Sequence, residues 1–159
     1  MDIMNKDRLI TIGIDPGKDG AMAVIAPDET YVIPFSETEY AKELGYIDTE
    51  HYKVLCVLEH VGAMPGQGSV SMFNFGANFG FIRGLLTANK IPYELVRPQK
   101  WKKVFSCTSD KNTAIEVASR LFPSVDLRRT PKCKGPHDGI CEALLMAEYG
   151  RRVLVCVMK

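Results

Sequence analysis

Four acidic residues, Asp15, Glu59, Asp138 and Glu142, stand where carboxylates can do joint chemistry. Asp15 closes the apolar run Leu9–Asp15 (LITIGID), and Glu59 closes a second, Lys53–Glu59 (KVLCVLE). Both runs read as strands. Laid side by side in a common direction, they would deliver both carboxylates to one sheet edge, where α/β folds hold their sites. Asp138 and Glu142 are four apart at the start of a helical pattern, hence on one face of it. Like charges within ~4–6 Å of one another are unfavourable unless a cation compensates them. Oxygen donors with little nearby sulfur suit a hard divalent ion such as Mg²⁺. Singly, each acid has an ordinary structural role: Asp15 starting the Pro16-Gly17 turn, Glu59 as a solvated strand end, Asp138 capping its helix. The combination points to a site.

The elements that must position these residues follow from the patterning. Ala21 to Ala26 returns soon after the Pro16-Gly17 turn, so it forms a hairpin with Leu9–Asp15, and Tyr31 to Pro34 is a third strand. Ser36 to Tyr52 reads as a helix opened by the Ser36/Glu39 capping box. Ser69 to Asn89 reads as a long helix, Pro92 to Val96 as a short strand, and Arg97 to Val104 as a basic turn or short helix. Ser109 to Leu121 is a helix with a Phe-Pro stop, Ser124 to Pro136 a basic loop, and Asp138 to Tyr149 the final helix. Arg151 to Val157 reads as a tail strand. A meander of strands followed by alternating helices and strands predicts a mixed sheet with helices on its faces, an α/β class.

The 159 residues, 46% apolar and 25% charged, fit one globular domain spanning residues 1–159 and exclude disorder, collagen and coiled coil. No apolar run reaches the ~18 residues of a membrane span, so no membrane partner is expected. The polar stretch Met1 to Arg8 lacks a secretory pattern, and the chain reads as cytoplasmic. Five cysteines without a CxxC pair suggest no disulfide framework, and Cys133, His137 and Cys141 lack the fourth ligand of a closed zinc site.

Net charge is only +1, yet Arg97 to Lys134 carries ten basic residues against three acidic ones. Such asymmetry points to a polyanion, and Lys102, Lys103, Lys111, Arg128 and Arg129 are the leading phosphate contacts. Trp101, the sole tryptophan, reads as a packing anchor rather than a base-stacking platform. Gly76, Gly80 and Gly84 make a side-chain-free stripe on the long helix, at about 0.8–1 kcal/mol per glycine. A close backbone approach would offset that cost, made either by the protein's own sheet or by a second subunit.

Gly13-Ile14-Asp15-Pro16-Gly17, strand-end Glu59, the Gly- and Phe-rich segment Ser71–Gly84, Val96-Arg97-Pro98-Gln99-Lys100-Trp101-Lys102-Lys103 and His137-Asp138-Gly139-Ile140-Cys141-Glu142-Ala143 occur in that order over about residues 8–149. In this series the chain resembles the RuvC family of Holliday junction resolvases, in particular its shorter phage-type members. The resemblance implies an RNase H-like fold: a five-stranded mixed sheet, its first three strands antiparallel, flanked by helices. It also implies a homodimer that resolves branched DNA, four-way junctions above all, by symmetric nicking with Mg²⁺ or Mn²⁺, two ions per site. Asp15 would bridge the ions, Glu59, Asp138 and Glu142 would complete their shells, and the products would carry 5′-phosphate and 3′-hydroxyl ends. It places the dimer interface on the helix of Gly76, Gly80 and Gly84, and a phage-encoded member in its bacterial host's cytoplasm.

The chain departs from the family in two places. The family commonly spaces its last acid pair three apart, whereas Asp138 and Glu142 are four apart, with His137 as a further ligand or base, or a solvated or DNA-contacting residue. The aromatic wedge that often follows the strand-end glutamate is replaced by His60-Val61-Gly62-Ala63-Met64, leaving Met64, Phe73 or Phe75 to enter the branch point. Other readings are an RNase H-like nuclease of flaps or RNA–DNA hybrids, a non-catalytic junction-binding protein, and an actin-like ATPase, the last disfavoured by length.

Overall fold

The central strand β1 (Leu9–Asp15) is buried on both faces, which is why its sequence is almost continuously apolar. The computed structural model describes residues 8–62 and 65–157. β1 pairs antiparallel with β2 (Ala21–Ile25), and β2 antiparallel with β3 (Thr30–Pro34). β4 (Lys53–Glu59) lies parallel to β1 on its other side, and the edge strand β5 (Tyr93–Val96) lies parallel to β4. The sheet order is β3-β2-β1-β4-β5, a five-stranded mixed sheet whose first three strands are antiparallel, as expected.

Side-chain alternation divides the core. Ile10, Ile12 and Ile14 of β1, with Val54, Cys56 and Leu58 of β4, face α1 (Glu37–Tyr46) and α2 (Ser69–Ala88). Leu55 and Val57 face the opposite side, where α3 (Pro98–Val104), α4 (Lys111–Leu121) and α5 (Asp138–Tyr149) pack. Nearly all of α5 is buried, so the helix carrying Asp138 and Glu142 is also the hydrophobic spine of that layer. Ser36 caps α1 as expected: its hydroxyl accepts the Glu39 N–H at 3.3 Å.

Two expected elements differ. The helix from Ser36 ends at Tyr46 rather than Tyr52, because Ile47 is extended and the Asp48 carboxylate then accepts the Glu50 and His51 N–H groups at 3.0 Å, forming a turn into β4. The tail is helical rather than a strand. Beyond α5 the chain makes a π-helical turn (Gly150–Leu154) and a short α6 (Val155–Val157). Arg151 and Arg152 both bind the buried Glu148, three and four residues earlier, and only helical spacing permits that pair of contacts. Among the described residues, no helix is long and apolar enough to cross a membrane.

Candidate metal centre

The pairing of β1 with β4 brings the two strand-end acids together. Its register runs to Ile14 opposite Leu58, one residue before Asp15 and Glu59 respectively. From the helix packed directly on that face of the sheet, α5 adds Glu142. Asp15, Glu59 and Glu142 each offer an oxygen within 4.8 Å of the others. Cys133, His137 and Cys141 form no such group among the described residues. The site opens into a cleft of about 1160 Å³ lined by Asp15, Gly17, Phe75, Asn78, Lys111 and Asp138. A second cleft of about 1060 Å³, at the other end of the sheet, holds none of the four acids.

At such separations each pair of carboxylates repels by roughly 3–4 kcal/mol at an effective dielectric of 20. Burial, and then the neighbouring Glu59, Glu142 and Asp138, push the Asp15 carboxyl well above its ordinary value. Burial also lifts Glu59, although the Trp101 indole N–H, which donates to Glu59 Oε1 at 3.0 Å, works the other way. Lys102 and Lys111 supply partial compensation. Lys102 Nζ lies 3.1 Å from Glu142 Oε1, and Lys111 Nζ pairs with Asp138 Oδ2. Partial burial would raise Asp138, but Lys111 holds it below its ordinary range. Four acids against two ammonium groups leave a negative, oxygen-lined cleft. That donor set fits a hard divalent cation.

Close backbone packing fixes these positions. Gly139 sits where a Cβ would lie 2.9 Å from both Asp15 Oδ2 and the Asp19 carbonyl, so α5 starts directly against the turn that follows Asp15. His137 caps α5: its Nδ1 accepts the Gly139 N–H at 3.2 Å, and it lies 3.9 Å from Asp138 Oδ1. The turn after Asp15 needs Gly17 at φ +117°, and Asn78 of α2 accepts the Gly17 N–H through Oδ1 at 2.8 Å. Arg129 reaches that turn from the basic loop, donating to the Lys18 and Asp19 carbonyls at 2.9 Å.

The basic residues therefore divide into groups that sequence alone did not separate. Lys102 and Lys111 line the acid cluster, and Lys103 is exposed on α3. Arg128 is folded onto Asp126 and the Pro131 carbonyl, while Arg129 braces the turn beside the site. Gly76, Gly80 and Gly84 have nothing within 4 Å of where a Cβ would stand, so the stripe faces away from the protein's own sheet. Phe73, 76% exposed, lies on that outer face, whereas Phe75 is half-buried, stacked on Phe79 and close to Gly17. Met64 lies outside the described residues. The Trp101–Glu59 and Asn78–Gly17 bonds were missed from sequence. The one usable signal for the first is a lone indole on the short helix that follows β5, the strand beside β4.

No protein-family model and no curated protein matches the chain. Solved structures do. The chain is similar to Thermus thermophilus RuvC in complex with its Holliday junction substrate, at TM-score 0.57 and 15% identity, covering 91% of this chain and 96% of that one. It is likewise similar to Thermus thermophilus RuvC in a second structure, at TM-score 0.57 and 14% identity, covering 89% of this chain and 95% of that one. The five-stranded mixed sheet flanked by helices is thus the RNase H-like fold of RuvC.

Proposed function

We propose that this protein is a divalent-metal-dependent endonuclease that resolves four-way DNA junctions and related branches. The observation that carries the reading is the convergence of Asp15, Glu59 and Glu142 from three separate elements of a fold shared with a protein solved on a Holliday junction. Asp15, whose carboxyl feels Glu59, Glu142 and Asp138, would be the ligand shared by two ions, Mg²⁺ or Mn²⁺, and Glu59, Glu142 and Asp138 would complete their shells. Ions so held supply Lewis-acid polarisation of the phosphodiester and a water acidified enough to act at neutral pH.

The chain's own residues then have defined tasks. Lys102 and Lys111 neutralise Glu142 and Asp138 in the free protein and are the cations nearest an incoming phosphate. Lys103 extends that basic surface along α3. Arg129 holds the Lys18 and Asp19 carbonyls of the turn that lines the cleft, and Arg128, its neighbour in the 124–136 loop, is a further candidate phosphate contact. Phosphate contacts make binding salt-dependent and largely blind to base sequence, so branched shape is what is recognised. The exposure of Phe73 favours it over Phe75 as the side chain that enters the branch point. Pairing of two subunits through the open stripe of Gly76, Gly80 and Gly84 gives the twofold arrangement that symmetric nicking of two strands requires.

The test is side-by-side incubation of a synthetic immobile junction, a flap and an RNA–DNA hybrid with protein and Mg²⁺. The proposal expects paired nicks in the junction, with 5′-phosphate and 3′-hydroxyl ends. Preferential cutting of the flap or hybrid would reassign the activity within the same fold. Tight junction binding with no product under any divalent ion would make it a binding protein.

A further inference from the structure

Trp101 is fully buried, and the acid it touches, Glu59, is only 6% exposed. The two are 42 residues apart in sequence, and their 3.0 Å bond joins the short helix α3 to the end of β4. The next residue along, Lys102, binds Glu142 at 3.1 Å, with its ammonium 5.3 Å from the Trp101 ring centre. Consecutive residues of one helix therefore hold two of the three clustered carboxylates, by different chemistry. Lys102 is a cation and must give up Glu142 to an ion that takes that oxygen. The indole N–H is neutral, donates only, and has no protonation change near neutral pH. It can keep its bond to Glu59 while the carboxylate coordinates, and in a buried, low-dielectric setting that bond is strengthened.

We propose that Trp101 is a positioning residue for the metal centre, fixing the Glu59 carboxylate beside those of Asp15 and Glu142. The inference rests on the metal-dependent reading above and deepens it. A packing tryptophan needs only its shape. A positioning tryptophan needs its N–H. Partners that orient a ligand in this way are typically worth 10–100-fold in metal affinity.

The sole tryptophan also reports on its own neighbour. Paramagnetic Mn²⁺ bound at Glu59 should quench Trp101 emission saturably in the wild-type protein. The affinity itself is measured by electron paramagnetic resonance of free Mn²⁺, on the wild type, on Trp101→Phe, and on protein carrying β-(3-benzothienyl)alanine at position 101. That analogue keeps the indole's shape and replaces its N–H by sulfur. The expected result is Mn²⁺ binding weakened about tenfold or more in both variants, with the analogue still folding cooperatively. If Trp101→Phe fails to fold, the analogue decides. Wild-type affinity in the analogue would overturn the positioning role and leave the metal centre standing. Absence of Mn²⁺ binding by the wild type would overturn the metal reading and this inference together.

Discussion

Gly13 of β1 and Ala143 of α5 are in direct backbone contact: a Cβ on the glycine would come closer than 3 Å to the Ala143 carbonyl oxygen and to the Ala147 nitrogen. This approach sets the height of α5 above the sheet, and with it the distance from Glu142 to Asp15 and Glu59. Gly13→Ala must lift the helix or bend the strand. We expect a loss of about 3 kcal/mol, or roughly 6–12 °C in melting temperature, together with weakened Mn²⁺ binding. Calorimetry and a metal titration check both. A variant that melts and binds metal like the wild type would show that the spacing is not set there.

The acid cluster should make the metal-free protein pH-sensitive in a direction opposite to ordinary salt-bridged acids. Burial, Glu59 and Glu142 raise the Asp15 carboxyl above its usual 3.8, so the folded state binds more protons than the unfolded state across that interval. Stability must then fall as pH rises from about 4 through the raised value. Asp15→Asn removes the penalty. In EDTA we expect the variant to melt a few degrees higher than wild type near pH 7, the difference vanishing below pH ~4 and shrinking when Mg²⁺ is restored. Melting curves across pH measure this. A wild type that grows more stable than the variant as pH rises would contradict it.

Much of this arrangement was legible before the fold was known, because it is local. Runs such as LITIGID and KVLCVLE announce doubly buried strands, and their terminal acids mark the site edge. Asp138 and Glu142 share a face by helical spacing alone. What was not legible depends on tertiary contact. Lys102, Lys111, Arg128 and Arg129 were indistinguishable as basic residues, yet they meet Glu142, Asp138, Asp126 and a backbone turn more than 100 residues away, respectively. The β-branched tail failed as a strand because Glu148, buried with its two arginines, rewards helical continuation, and periodicity in so short a run carries no record of that.

The division among the basic residues is itself testable. Arg129 holds the Lys18 and Asp19 carbonyls, so Arg129→Ala should loosen the turn after Asp15 and weaken metal binding. Lys103→Ala should leave metal binding intact and lower the salt slope of junction binding by about one. Gel-shift titrations over a salt series, beside Mn²⁺ titrations, separate the two. The reverse pattern would make Arg129 a phosphate contact and Lys103 a bystander.

Gly80 gives a prediction in which helix stability and assembly move oppositely. Nothing lies within 4 Å of its missing side chain, and an exposed interior glycine costs about 1 kcal/mol in a helix. Gly80→Leu should therefore leave the subunit as stable as wild type or more so, while blocking close approach of a second α2. Sedimentation velocity should show a dimer for wild type and a monomer for the variant. A dimer in both would place the interface elsewhere.

Whether Asp15, Glu59 and Glu142 hold divalent ions against a DNA backbone is decided by cleavage of a four-way junction. Wild type and Asp15→Asn are incubated with an end-labelled immobile four-way junction, in Mg²⁺ and in EDTA, while junction binding is followed in parallel. Paired symmetric nicks are expected from wild type in Mg²⁺ only, and none from Asp15→Asn, which still binds the junction. Cutting that persists in EDTA, or that survives the loss of the Asp15 carboxylate at a comparable rate, would contradict it.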